Sequence, residues 1–176
     1  VDLDRDEAIP AAGDVERGTT VKAYHGDPAV KAEYLARVRA HRAADELIRG
    51  TYWEGGKGCA VGCTIHGDDH ARYERELGIP AAIAHLEDRI FEGLPDAEAM
   101  AWPERFLDAI PVGADLSRVA DRFAHWLLSE EVPRHFDAAA WPDVAAAVSR
   151  AAELRRRAAA GEPIDAAEWP AAEAAS

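Results

Sequence analysis

Both cysteines of the chain, with two of its seven histidines, fall in the stretch from Cys59 to His70. Cys59, Cys63, His66 and His70 follow the pattern C-x3-C-x2-H-x3-H, which a continuous helix would place on one face. Cysteine and histidine are the preferred ligands of zinc and other borderline-soft transition metals, so these four residues form a candidate metal set. Geometry restricts it. Eleven residues of straight helix rise about 16 Å, whereas a metal reaches its ligands at roughly 2.0–2.3 Å. One ion takes all four only if the chain bends, and Gly62 and Gly67 are where it could. The compact alternative is Cys59, Cys63 and His66, completed by His70 or from outside by His41 or Asp45, or by His85 or Asp88.

The same residues admit a thiol chemistry. Cys59 follows Gly55-Gly56-Lys57-Gly58 at a helix start, where free backbone N–H groups, the helix dipole and Lys57 favour a thiolate. Cys59 as nucleophile with His66 as base would be Cys–His chemistry, and Lys57 with the loop amides would hold a small anionic substrate. Asp45 or Asp69 would orient a histidine, and Tyr52-Trp53 beside the loop would line a pocket, Trp53 contacting the ligand. A plainer reading is packing: Gly-Cys-Ala-Val-Gly-Cys lets a neighbouring helix approach closely, and free cysteine is among the most buried residue types.

Other chemistries lack their signatures. Gly56-Lys57 is followed by Gly58, not Ser or Thr, so there is no phosphate-binding P-loop. His66 and His70 have the spacing of zinc-protease histidines, but Gly67 stands where the glutamate base belongs. Cys-x-x-Cys-His, paired Glu-x-x-His and Gly-x-Ser-x-Gly are all missing.

The elements that must position these residues read as helices. Asp27-Pro28 is a cap followed by proline at the first helical position, and Val30, Tyr34, Val38, His41, Ala44 and Ile48 share a face, predicting a helix over 28–49. Thr51 to Gly58 reads as a glycine-rich loop, Cys59 to His66 as a short helix and 69–77 as its continuation. Pro80 opens a helix with Ile83, Leu86, Ile90 and Phe91 inward, Pro103 a helix with Phe106, Leu107 and Ile110, and Asp115 a helix with Leu116, Val119, Phe123, Trp126 and Leu127. Pro142 opens an alanine-rich helix over 142–160. The five tryptophans are expected mostly in the core. No period-two run and no Asn-Gly or Asp-Gly hairpin signal occurs. The expected fold is all-α, a compact multi-helix domain of six to eight helices over 21–160, between a flexible acidic tail (1–20) and an alanine-rich acidic segment (161–176).

Charge narrows the partners. The 176 residues carry a formal charge of -13, with 33 acids against 20 bases, which argues against bulk nucleic-acid binding and against an anionic membrane surface. No stretch approaches the roughly 20 apolar residues of a membrane span. Two cysteines are too few for a disulfide scaffold, so the expected compartment is reducing and cytoplasmic.

From Arg39 to Ser117 the chain resembles a group of uncharacterised bacterial and phage-encoded proteins. The resemblance rests on Arg39-Ala40-His41-Arg42-Ala43-Ala44-Asp45-Glu46, Tyr52-Trp53-Glu54, Glu76-Leu77-Gly78-Ile79-Pro80 and, above all, Lys57-Gly58-Cys59-Ala60-Val61-Gly62-Cys63; it implies no activity. Two functions are therefore expected as alternatives: a soluble helical protein with a metal (zinc or another transition metal) or thiolate site around the Cys/His segment, or a non-enzymatic module whose small-residue helices form a homo-oligomer.

Overall fold

A computed structural model describes residues 22–169; the acidic segment 1–20 and the last part of the alanine-rich segment, 170–176, lie outside the described residues. The chain clusters into two compact units, one ending at Leu116 and the other beginning at Ser117, where one helical body over 21–160 was expected. The fold is all-α, with seven α-helices among the described residues.

The first unit holds α1 (Pro28–Ala43), a two-stranded hairpin of β1 (Trp53–Glu54) and β2 (Lys57–Gly58), α2 (Ala60–Ile65), α3 (Ala81–Gly93), α4 (Asp96–Ala99) and α5 (Trp102–Ala109). α2 is its centre: all six residues are buried, and α1, α3 and α5 pack around it. Val38, Val61, Ile65, Tyr73, Leu77, Ile79, Phe91 and Leu107 complete the core. Removing such apolar surface from water is the main stabilising term, about 1.5–3 kcal/mol for each large side chain.

Two local departures from the sequence expectation shape the site. α1 starts where predicted, with Asp27 accepting a hydrogen bond from Ala29 N–H, but ends at Ala43 rather than 49. Asp45 turns left-handed (φ 56°), and the next residues pair with β2: Ile48 N–H donates to Gly58 O and Gly58 N–H to Glu46 O. Tertiary pairing thus overrides the helical pattern. The glycine-rich loop is a hairpin, with Trp53 opposite Gly58 and Glu54 opposite Lys57. Its turn is Gly55-Gly56, both with positive φ, a Gly-Gly hairpin signal that a search for Asn-Gly or Asp-Gly passes over.

Tyr73–Leu77 is a single wide π-helical turn rather than a continued α-helix, closed by left-handed Gly78. In α3, Ile83, Ala84, Glu87 and Phe91 are buried, whereas Leu86 and Ile90 are only half-buried.

The second unit contains α6 (Val119–Trp126), extended by a π-helical turn at Leu127–Glu131, and α7 (Pro142–Ala160), which pack against each other. α7 has the predicted bounds. Leu116 precedes α6 rather than belonging to it. Arg155 of α7 pairs with the buried Asp121 of α6 at 2.8 Å. None of the five tryptophans is buried, against expectation: Trp53, Trp102 and Trp169 are half-buried, and Trp126 and Trp141 are exposed.

Candidate functional site

The two cysteines face the core. Cys59 caps α2, its Sγ accepting from Gly62 N–H at 3.5 Å. Cys63 Sγ donates to Gly58 O at 3.3 Å and contacts Glu46 O at 3.6 Å. Both are buried, free thiols. Burial pushes the Cys59 thiol far above its ordinary range, and the Asp88 carboxylate adds to the rise. Burial likewise pushes Cys63 up to about 12. The expected activation of Cys59 as a thiolate is therefore opposed by its surroundings: removal from water penalises the charged form more than nearby backbone N–H groups favour it. Lys57, the expected anion contact, is exposed on β2.

Gly62 is not a bend. A Cβ there would lie 1.5 Å from Tyr52 O, and one at Gly58 would lie 2.0 Å from the same atom. The two glycines let the hairpin backbone lie directly on α2, and this seats the rings of Tyr52 and Trp53. The chain instead turns at His66, which ends α2 in the left-handed conformation (φ 51°, ψ 55°).

That turn sends His66 and His70 to different partners. His66 meets His41, from the last turn of α1, with the two Nε2 atoms 2.8 Å apart and the rings at 88°. His41 Nδ1 lies 2.6 Å from Glu46 Oε2, a contact made by the early end of α1. On a continued helix, residues five apart would stand roughly 140° apart around the axis. Trp53 stacks on His66 (4.7 Å between centroids, 19°) and meets His41 edge-on at 5.5 Å. His66 is solvent-exposed. Partial desolvation, then Arg37, then His41 hold its pKa below the ordinary histidine value.

His70 is buried and stacks on His85 of α3 at 3.9 Å and 12°, with the Tyr52 ring edge-on at 5.3 Å. Farther along α3, Asp88 faces Cys59, and Glu87 is wholly buried. Tyr73 Oη donates to Glu87 Oε2 at 2.5 Å, and Glu87 Oε1 has no hydrogen-bond partner among the described residues. Burial raises Glu87 to about 8, with Asp88 adding to the rise and the Tyr73 hydrogen bond opposing it.

The set Cys59, Cys63, His66 and His70 is therefore not brought to one point, and among the described residues no three His, Cys, Asp or Glu side chains are grouped to hold a metal ion. His41 and His85, named as outside candidates, are instead the residues that partner His66 and His70. Asp45 and Asp69 take no part: Asp45 forms the turn, and Asp69 pairs with Arg75. Glu46 and Glu87 escaped the sequence reading. Glu46 carried a readable signal, an acid just beyond a histidine at a helix end; Glu87 looked like one more acid on a helix.

No family model, curated protein or solved structure matches the chain. No helix among the described residues is long and apolar enough to cross a membrane.

Proposed function

We propose that the chain binds a transition-metal ion through Nε2 of His41 and Nε2 of His66, exogenous ligands or water filling the remaining positions. The observation that carries this reading is the meeting of the two Nε2 atoms at 2.8 Å while Glu46 engages the far nitrogen of His41. A carboxylate on Nδ1 favours a proton there, which leaves the lone pair on Nε2, the arrangement found behind metal-bound histidines. Exposure of His66 gives an ion and a further ligand access. Cys59 and Cys63 have a packing role in this reading. Their free thiols support a reducing, cytoplasmic setting.

The test is metal analysis of protein purified without chelator, then titrated with a divalent metal. One equivalent is expected to bind and to be lost in His41→Gln and His66→Asn, the latter keeping a residue that tolerates the left-handed turn. Retention should persist in Cys59→Ser and Cys63→Ser. If the cysteine variants lose the metal and the histidine variants keep it, the site is misplaced.

A second reading, a helical module that associates with a second copy of itself, is favoured by the second unit. Trp126, Trp141 and Val144 stand 48%, 63% and 49% exposed there, large apolar side chains that a second copy would cover. Sedimentation velocity on the full chain and on the Trp126→Arg/Trp141→Arg variant decides it: a concentration-dependent dimer lost in the variant supports the module, and a monomer at all concentrations rejects it.

A further inference from the structure

The solvent face of α6 is complementary to itself when turned end for end. We infer, resting on the reading of the second unit as a self-associating module, that two copies pair through antiparallel α6 helices. Trp126 of one copy then lies against Trp126 of the other, and each Arg122 meets the second copy's Glu130.

Three residues make the strip. Arg122, Trp126 and Glu130 are all exposed and follow one another at intervals of four positions, which makes them neighbours along one helix face. The π-helical turn at Leu127–Glu131 rotates each residue less than an α-turn does, and this keeps Glu130 in line with Trp126. Along the chain the strip runs base, indole, acid. Reversed, it runs acid, indole, base. A two-fold axis beside Trp126 therefore sets each Arg122 opposite a Glu130, twice over, as an isologous contact requires. A parallel pairing would set base against base and acid against acid. Opposite charges across a contact fix register, and like charges there repel.

The two charges are available. Among the described residues neither Arg122 nor Glu130 makes an ion pair, whereas the charged groups around them are engaged. Arg155 holds Asp121, Glu131 holds Arg134 and His135, and Arg118 donates to Ala158 O. The hairpin of α6 and α7 is also short of cover. Of the described residues from Ser117 onward only Asp121, Ala152 and Leu154 are buried, and Phe123, Leu127, Leu128 and Val148 stand half-buried. Two packed helices enclose little by themselves, and a second helix pair laid on α6 supplies further cover.

Charge reversal tests the register. Both residues are exposed, so each variant is expected to fold, with circular dichroism as the check. In sedimentation velocity on the full chain the parent should dimerise. Arg122→Glu and Glu130→Arg should each weaken that association about tenfold or more, because both contacts of the dimer turn repulsive. Mixing the two single variants should restore a dimer, since the two copies then carry opposite charges at both contacts. The double variant Arg122→Glu/Glu130→Arg should dimerise as the parent does. A dimer lost in Trp126→Arg/Trp141→Arg but unmoved by either single reversal would overturn the α6 pairing and leave the module standing. Single reversals that neither mixing nor the double variant rescues would overturn it as well. A parent that stays monomeric at every concentration would remove module and pairing together.

Discussion

The two histidine pairs of the first unit are built from similar parts and arranged in opposite ways. His41 and His66 meet at 88° with their Nε2 atoms in contact; His70 and His85 lie parallel, 12° apart, ring over ring. An imidazole lone pair lies in the ring plane. Perpendicular rings can therefore aim two lone pairs at one point, whereas stacked rings send theirs out in parallel sheets. The environments differ too. The first pair has a carboxylate behind it and solvent before it. The second has the buried His70, flanked by Tyr52 and stacked on His85 of the helix that also buries Glu87. Residue type is the same signal in both cases; ring orientation separates a candidate ligand pair from a packing pair.

The most severe way to break this comparison is to destroy both pairs at once. Gly62→Ala would drive a methyl group into Tyr52 O, and Tyr52 and Trp53 each contact one pair. A loss of about 3 kcal/mol or more is expected, checked by chemical denaturation, together with loss of metal binding.

The second pair is probed through Glu87, close by on the helix that carries His85. Its folded-state pKa, about 8, lies above the ordinary carboxyl value of 4.5. Below pH 4.5 the acid is neutral in both states and costs nothing. Between about 4.5 and 8 only the unfolded chain ionises, so stability falls as pH rises through this window and levels off above it. The stability difference between Glu87→Gln and the parent should therefore move in favour of the variant from pH 5 to pH 8, by an amount on the order of a few kcal/mol. An unchanged difference would mean that Glu87 ionises as freely folded as unfolded.

The first pair is sharpened by Glu46→Gln, which keeps shape but loses the charge behind His41. Metal affinity should weaken by about 10–100-fold, measured by competition with a chromophoric chelator, with little change in melting temperature. His85→Ala should leave affinity unchanged. The smallest effect is expected from Cys59→Ser: full metal retention and a stability loss of about 1–2 kcal/mol from a perturbed helix cap and a buried hydroxyl.

Helix content was readable wherever a proline or a cap marked a start and periodicity carried the rest, as in the helix at Pro142–Ala160. What escaped was decided by long-range contacts. Nothing local ends the first helix at Ala43; the pairing of Glu46 and Ile48 with Gly58 does. The candidate site was half legible for the same reason. Histidines 41, 66, 70 and 85 stand out by type, but their pairing depends on the left-handed turn at His66, a conformation that residue type scarcely announces. Glu87 could not be read as buried without Tyr73, its partner fourteen positions away.

The close of the first helix onto the end of the second has a mechanical consequence. His41 and His66 stand 25 positions apart, and between them run the turn at Asp45, the hairpin and both cysteines. An ion bridging the two rings would act as a staple across that stretch, adding to folding the free energy with which it is held. Local opening of this segment would then require release of the ion. The two buried thiols would become a clock for occupancy, labelled slowly while the staple is closed and rapidly once a chelator draws it out.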